Sequence, residues 1–182
     1  MDDLAEQWLS AWRFAAQAHQ GQSIAGGELP YIVHVGQVAN EVLLGHQLAP
    51  FDLPGLAVQC ALLHDTLEDT EVHELQLIAR FGPTVTAGVR ALTKDKALPK
   101  SEAMGDSLRR IRELPREVWA VKLADRIANL GVPPRHWQPD KIREYRHEAQ
   151  IILAQLGEAH GPLAARLEQK IAAYPPTPAA NA

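Results

Sequence analysis

An apolar helical run (Leu56, Ala57, Val58, Ala61, Leu62, Leu63) passes directly into the pair His64-Asp65, and Glu68 and Asp69 follow one turn later. Few arrangements accommodate that sequence. At about 100° per residue the four ionisable side chains share roughly 140° of one helix surface. Three carboxylates and an imidazole so placed repel one another, and negative charge is disfavoured near a helix C-terminus. A divalent cation relieves both conflicts, so the segment predicts a metal site with carboxylates left over for chemistry. Taken singly, its parts have plainer readings. His64-Asp65 could end a helix by hydrogen-bonding backbone groups, and Asp69 could help cap a helix beginning at Thr70.

The rest of the chain repeats at the helical period, and no stretch shows sustained period-two alternation. Helices are predicted over 4–19, from Pro30 through Leu43, from Phe51 to the His-Asp pair, and over 71–80. Gly82-Pro83 ends that last one, and a short helix over 85–92 follows. Lys94 to Lys100 reads as a basic loop. Further helices are expected over 101–112, 115–130, 140–160 and 162–174, before a Pro-rich tail. The expectation is one all-α domain over 1–174, a bundle of roughly eight to ten helices, with a disordered tail at 175–182.

Composition narrows the function. With 182 residues, 46% of them hydrophobic, a real core is available and disorder is not the default. A net charge of −4 argues against sequence-independent nucleic-acid binding. The longest apolar runs fall well short of the roughly 20 residues that span a bilayer. The acidic start Met1-Asp2-Asp3 lacks the pattern of a signal peptide, so a cytoplasmic address is expected. The single Cys60, among Ala57, Val58, Ala61 and Leu62, reads as a small buried hydrophobe.

Two further elements bear on the metal. His34 lies four residues after Pro30 on an apolar helix, where a lone histidine is often just a satisfied core residue. Asp125 interrupts the apolar stretch Val121 to Leu130, with Lys122 at i−3 and Asn129 at i+4 on its face. Its plainer reading is a buried salt bridge to Lys122 or Arg126. Together the three elements supply two imidazoles and two carboxylates from separate helices. That nitrogen and oxygen set suits Mn²⁺, Fe²⁺ or Zn²⁺, and the lack of Cys ligands argues against a closed structural zinc.

The blocks Ala18-His19-Gln20-Gly21-Gln22, Pro30 to His34, His64 to Thr70, and Val121 to Arg126 with Asn129 resemble, in order and spacing, the hydrolase domain of the Rel/Spo family of HD-domain metal hydrolases. The resemblance covers about 12–156 and points to a stand-alone small alarmone hydrolase. It implies one Mn²⁺ held by His34, His64, Asp65 and Asp125, with Glu68 and Asp69 positioning the attacking water and moving protons. The implied reaction removes pyrophosphate from the 3′ position of (p)ppGpp. The implied substrate contacts are Tyr31, Asn129, Lys141 and Tyr145, with Trp137 nearby, and the loop lysines Lys96 and Lys100. Those lysines could equally be ordinary solvated charge.

One departure stands out. Where the family carries one or two basic residues that pack on guanine, this sequence has Ser23-Ile24-Ala25-Gly26-Gly27-Glu28-Leu29, without Lys or Arg. A cation that stacks on the base is therefore missing, and (p)ppApp becomes a co-substrate to consider. The rival readings are another HD phosphohydrolase, such as an NADPH 2′-phosphatase or a nucleotidase, and a non-catalytic alarmone sensor. The expected partner is a small nucleotide, with neither nucleic acid nor membrane; oligomeric state is not legible.

Overall fold

A computed structural model describes residues 3–176. Nine α-helices follow one another among them: α1 (Leu4–Ala18), α2 (Ile32–Leu48), α3 (Pro54–Leu63), α4 (Thr66–Asp69), α5 (Glu74–Leu92), α6 (Lys100–Arg112), α7 (Arg116–Asn129), α8 (Pro139–Leu156) and α9 (Gly161–Ala173). The only extended pairing among these residues is an isolated bridge, Ser23 with Pro30, which closes the loop after α1. The all-α expectation holds. Residues 177–182 of the predicted tail lie outside the described residues.

Apart from Gln59, helix α3 is apolar all round, so it belongs at the centre. Leu56, Ala57, Val58, Cys60, Ala61, Leu62 and Leu63 are all buried, with α1, α2, α5 and α7 packed around them. Gly88 on α5 permits one of these approaches, since a Cβ there would stand 2.6 Å from the Cys60 sulfur. Helix α7 is buried along nearly its whole length, polar residues included. Because α2, α3 and α7 pack on one another, a histidine on α2, the end of α3 and an aspartate on α7 are carried to one place.

Local chemistry explains the boundaries that differ from expectation. Helix α3 does not run on through the acidic segment. It stops at Leu63, Asp65 takes φ −100° and ψ 0°, and α4 starts afresh. The Thr66 hydroxyl donates to the Leu63 carbonyl at 2.7 Å and stabilises the corner. Thr70 does not cap the next helix. Its hydroxyl donates back to the Thr66 carbonyl, while His73 and Gln76 form the capping box of α5. The break at Gly82 is present as a kink with φ 81°, a conformation glycine adopts without steric cost.

Candidate metal centre and its two clefts

His34, His64 and Asp125 converge, one from each of three helices or their ends, with ligand atoms within 4.8 Å of one another. They are 5%, 3% and 7% exposed, so ordinary water does little to satisfy them. The Asp125 Oδ1 lies 3.6 Å from His34 Nε2 and 3.7 Å from His64 Nε2. Asp65 Oδ2 joins at the edge, 2.9 Å from His64 Nε2 and 3.6 Å from His34 Nε2. Donors that share an ion at bond lengths near 2.1 Å stand about 3.0–3.4 Å apart, close to these spacings.

The donor set fits a cation. His64 Nδ1 engages the Ala61 carbonyl at 2.8 Å, which turns Nε2 into the cluster, where it lies 2.9 Å from Asp65 Oδ2 without the geometry of a hydrogen bond. A backbone carbonyl on the far nitrogen is the usual way to orient a metal-binding imidazole. Without an ion, protons take over part of the role. Burial works against charge on His64, yet Asp65 and Asp125 raise its pKa well above the ordinary value. Burial would raise Asp125 too, but Lys122, His34 and His64 hold its carboxyl well below the usual range. The cluster is a candidate site for a divalent metal.

A second layer orients the carboxylates. Lys122 Nζ donates to Asp125 Oδ2 at 3.0 Å, and Asn129 Nδ2 donates to its Oδ1 at 2.5 Å. The salt bridge to Lys122 therefore coexists with the ligand arrangement rather than replacing it. Tyr31 donates its hydroxyl to Asp65 Oδ2 at 2.5 Å. Its ring packs on His19. Sequence reasoning gave no role to His19, although it stands in one of the blocks that carry the resemblance. His19 Nδ1 meets Gln22 Oε1 at 2.8 Å, and Gln22 in turn donates to the Asp69 carbonyl.

Glu68 and Asp69 sit on the rim. The Lys94 backbone N–H donates to Glu68 Oε2 at 2.9 Å, and Lys96 Nζ donates to the Glu68 carbonyl. Burial, then Asp65 and Glu68, push the Asp69 carboxyl above its ordinary value.

Two clefts are lined by neighbours of Asp125 on α7, Asn129 in one and Lys122 and Arg126 in the other. One, of about 340 Å³, is aromatic and mostly uncharged: Tyr31, Asn129, Trp137 and Tyr145 line it with Ile24 and Ala25. The other, of about 550 Å³, is cationic, with Lys94, Lys100, Lys122, Arg126 and Lys141 on its walls. Of the two loop lysines, only Lys100 faces this cleft. Lys96 lines a neighbouring groove with Arg90 and Arg110. Lys141 is paired with Glu144 at 2.7 Å.

Known proteins resemble this chain over most of its length. An HD-domain family model matches residues 11–163. A zebrafish (Danio rerio) protein, guanosine-3′,5′-bis(diphosphate) 3′-pyrophosphohydrolase MESH1, is 32% identical over 166 residues, which cover 88% of this chain and 90% of its own. The human (Homo sapiens) protein of that name is 35% identical over 158 residues, 84% of this chain and 86% of its own. A solved structure, described as a metazoan ortholog of SpoT that hydrolyzes ppGpp and plays a role in starvation responses, aligns with a TM-score of 0.79 at 25% identity. It covers 91% of this chain and 94% of its own. With the family model matching most of the chain and relatives above 30% identity covering more than four fifths of it, the chain belongs to the HD-domain family, in the group that includes the MESH1 proteins.

Proposed function

We propose that this chain is a metal-dependent 3′-pyrophosphohydrolase of purine alarmones. It converts (p)ppGpp, and (p)ppApp as well, to the nucleoside di- or triphosphate and pyrophosphate, with 1–174 as the hydrolase domain. The observation that carries this reading is the convergence of His34, His64 and Asp125, with His34 lining the aromatic cleft and Lys122, the partner of Asp125, lining the cationic one. The zebrafish and human relatives bear the name of the guanosine activity.

His34, His64, Asp65 and Asp125 would hold one Mn²⁺ per chain, a choice that suits a borderline nitrogen and oxygen set without thiolate. Such an ion supplies an acidified water and offsets charge on phosphate oxygens. The remaining work falls to the chain. The Asp69 carboxylate, pushed up by burial and by Asp65 and Glu68, is suited to take the water's proton at its free oxygen. Glu68, held by the Lys94 amide, would orient that water. Tyr31 and Asn129 fix Asp65 and Asp125 and present their remaining surfaces to the nucleoside. The purine would lie against Tyr145 and Trp137, and the phosphates would run toward Lys100 and Lys141. Lys96 would act through the Glu68 backbone.

The base is where this chain differs. Ile24 and Ala25 form the wall where a stacking cation would stand, and both purines offer the same π-face. Ion chromatography of products from ppGpp, ppApp, NADPH and dGTP, each incubated with Mn²⁺-loaded protein, tests the proposal. The expected products are GDP or ADP with pyrophosphate from the first two substrates. Orthophosphate from NADPH alone would indicate a 2′-phosphatase, and ppGpp binding without product would indicate a sensor.

A further inference from the structure

Arg126 follows Asp125 on α7 but has no part in the ligand cluster. Its side chain is 7% exposed and its Nη2 reaches Glu148 Oε2 at 3.3 Å, long for a charge-assisted bond, which is usually about 2.7–2.9 Å. Its Nε and Nη1 are closed off from solvent and have no hydrogen-bond partner. The guanidinium lies 4.2 Å from the centre of the Tyr145 ring. A buried guanidinium with two of its three nitrogens unmet is costly, and such groups call for a missing partner.

The surroundings specify that partner. Arg126 and Glu148 both line the cationic cleft. Lys94, Lys122 and Lys141 already face carboxylates there: Glu68, Asp125 and Glu144. The first turn of α6, at Lys100 and Ser101, opens on the same cleft, and Pro99 at its N-cap offers no side-chain cap. A helix N-terminus and a planar fork both favour a phosphate. Lys122 ties this cleft to Asp125, so the cleft begins where the ligand cluster ends. Because Lys122 and Arg126 line the same cleft, a group bound at the cluster can extend toward Arg126 through a second, linked phosphate.

We propose that Arg126 and Glu148 form an exchangeable pair, in which the outer phosphate of the pyrophosphoryl group displaces the Glu148 carboxylate and takes the guanidinium. This rests on the pyrophosphohydrolase reading above. Glu148 keeps Arg126 oriented until the anion arrives, and returns as pyrophosphate leaves.

The test is calorimetric titration of Mn²⁺-loaded protein with inorganic pyrophosphate, for the wild type, Glu148→Gln, Arg126→Lys and Arg126→Met. Glu148→Gln frees the guanidinium and should tighten pyrophosphate binding by about threefold or more, a sign that a merely structural pair would not give. Arg126→Lys keeps charge beside Glu148 but loses the fork, and should weaken binding about tenfold. Arg126→Met should weaken it further. If that variant fails to fold, the other two decide the matter. Unchanged or weaker binding in Glu148→Gln, wild-type affinity in Arg126→Lys, or no pyrophosphate binding by the wild type overturns the proposal. Hydrolysis of ppGpp with pyrophosphate affinity indifferent to both residues sinks the exchange and spares the activity. Arg126-dependent pyrophosphate binding without ppGpp hydrolysis does the reverse.

Discussion

The inner cluster and the rim of this site are built in opposite ways. His34, His64 and Asp125 are buried and come from helices or their ends; the Ala61 carbonyl holds His64, Lys122 and Asn129 hold Asp125, and the Tyr31 ring packs beside His34. Glu68 and Asp69 stand on the four-residue α4; the loop at 93–99 brings Lys94 and Lys96 to Glu68, and the loop at 23–29 supplies Ile24 to the aromatic cleft. On the proposed reading, ion binding would rest on packing of the whole bundle, whereas water handling and base choice would depend on short segments that tolerate change. Chemistry and selectivity are separable in such a layout.

The largest effects are expected at the inner cluster. His64→Ala or Asp125→Ala should lose the ion and turnover together, with metal affinity down by more than about 100-fold, the scale already reached when only an outer partner of a ligand is removed. Metal analysis after gel filtration checks this, and a variant that keeps stoichiometric metal would break the distinction between cluster and rim. The same cluster predicts a pH dependence. Asp65 and Asp125 raise the pKa of His64 despite burial, so in the metal-free protein its proton persists to higher pH than an ordinary histidine's. An incoming ion must displace that proton, so affinity should rise with pH and binding should release protons. Calorimetry in buffers of differing ionisation enthalpy measures the release.

At the rim, Glu68→Gln or Asp69→Asn should keep metal and fold while kcat falls about 100-fold or more, the usual scale of acid–base work. Paired metal and rate measurements decide this; metal lost in step with activity would move these carboxylates into the cluster. The smallest effect is expected at the base. The kcat/KM values for ppGpp and ppApp should agree within about tenfold, roughly 1.4 kcal/mol. Ile24→Arg should lower KM with little change in kcat, as uniform binding requires. A ppGpp preference beyond a hundredfold would show that other residues read the guanine edge.

Much of the inner cluster was legible before any coordinates. An aspartate inside the buried face of α7 and a His-Asp pair ending an apolar helix conflict with their surroundings, and such conflicts mark sites. The rim was less so. The acidic segment suggests a continuous helix because pattern alone carries no record of the corner that Thr66 stabilises with the Leu63 carbonyl. Thr70 resembles an N-cap but donates to Thr66 instead, since hydroxyls compete for several local backbone partners. Lys96 and Lys100 look alike in sequence, yet one meets the Glu68 backbone and the other the cationic cleft.

Sequence by itself determined the helical class, the break at Gly82, and the residue types able to hold a borderline divalent ion. Those properties follow from periodicity, backbone freedom and donor chemistry, all of which are local. Only the tertiary structure decided that Lys122 serves Asp125 without displacing it from the cluster, that His19 backs Tyr31, and that Arg126 is buried with unmet donors between Tyr145 and Glu148. The physical reason is that a buried polar group's role depends on which partners are brought within about 3 Å of it. Those partners come from helices distant in sequence, whose packing no local pattern records.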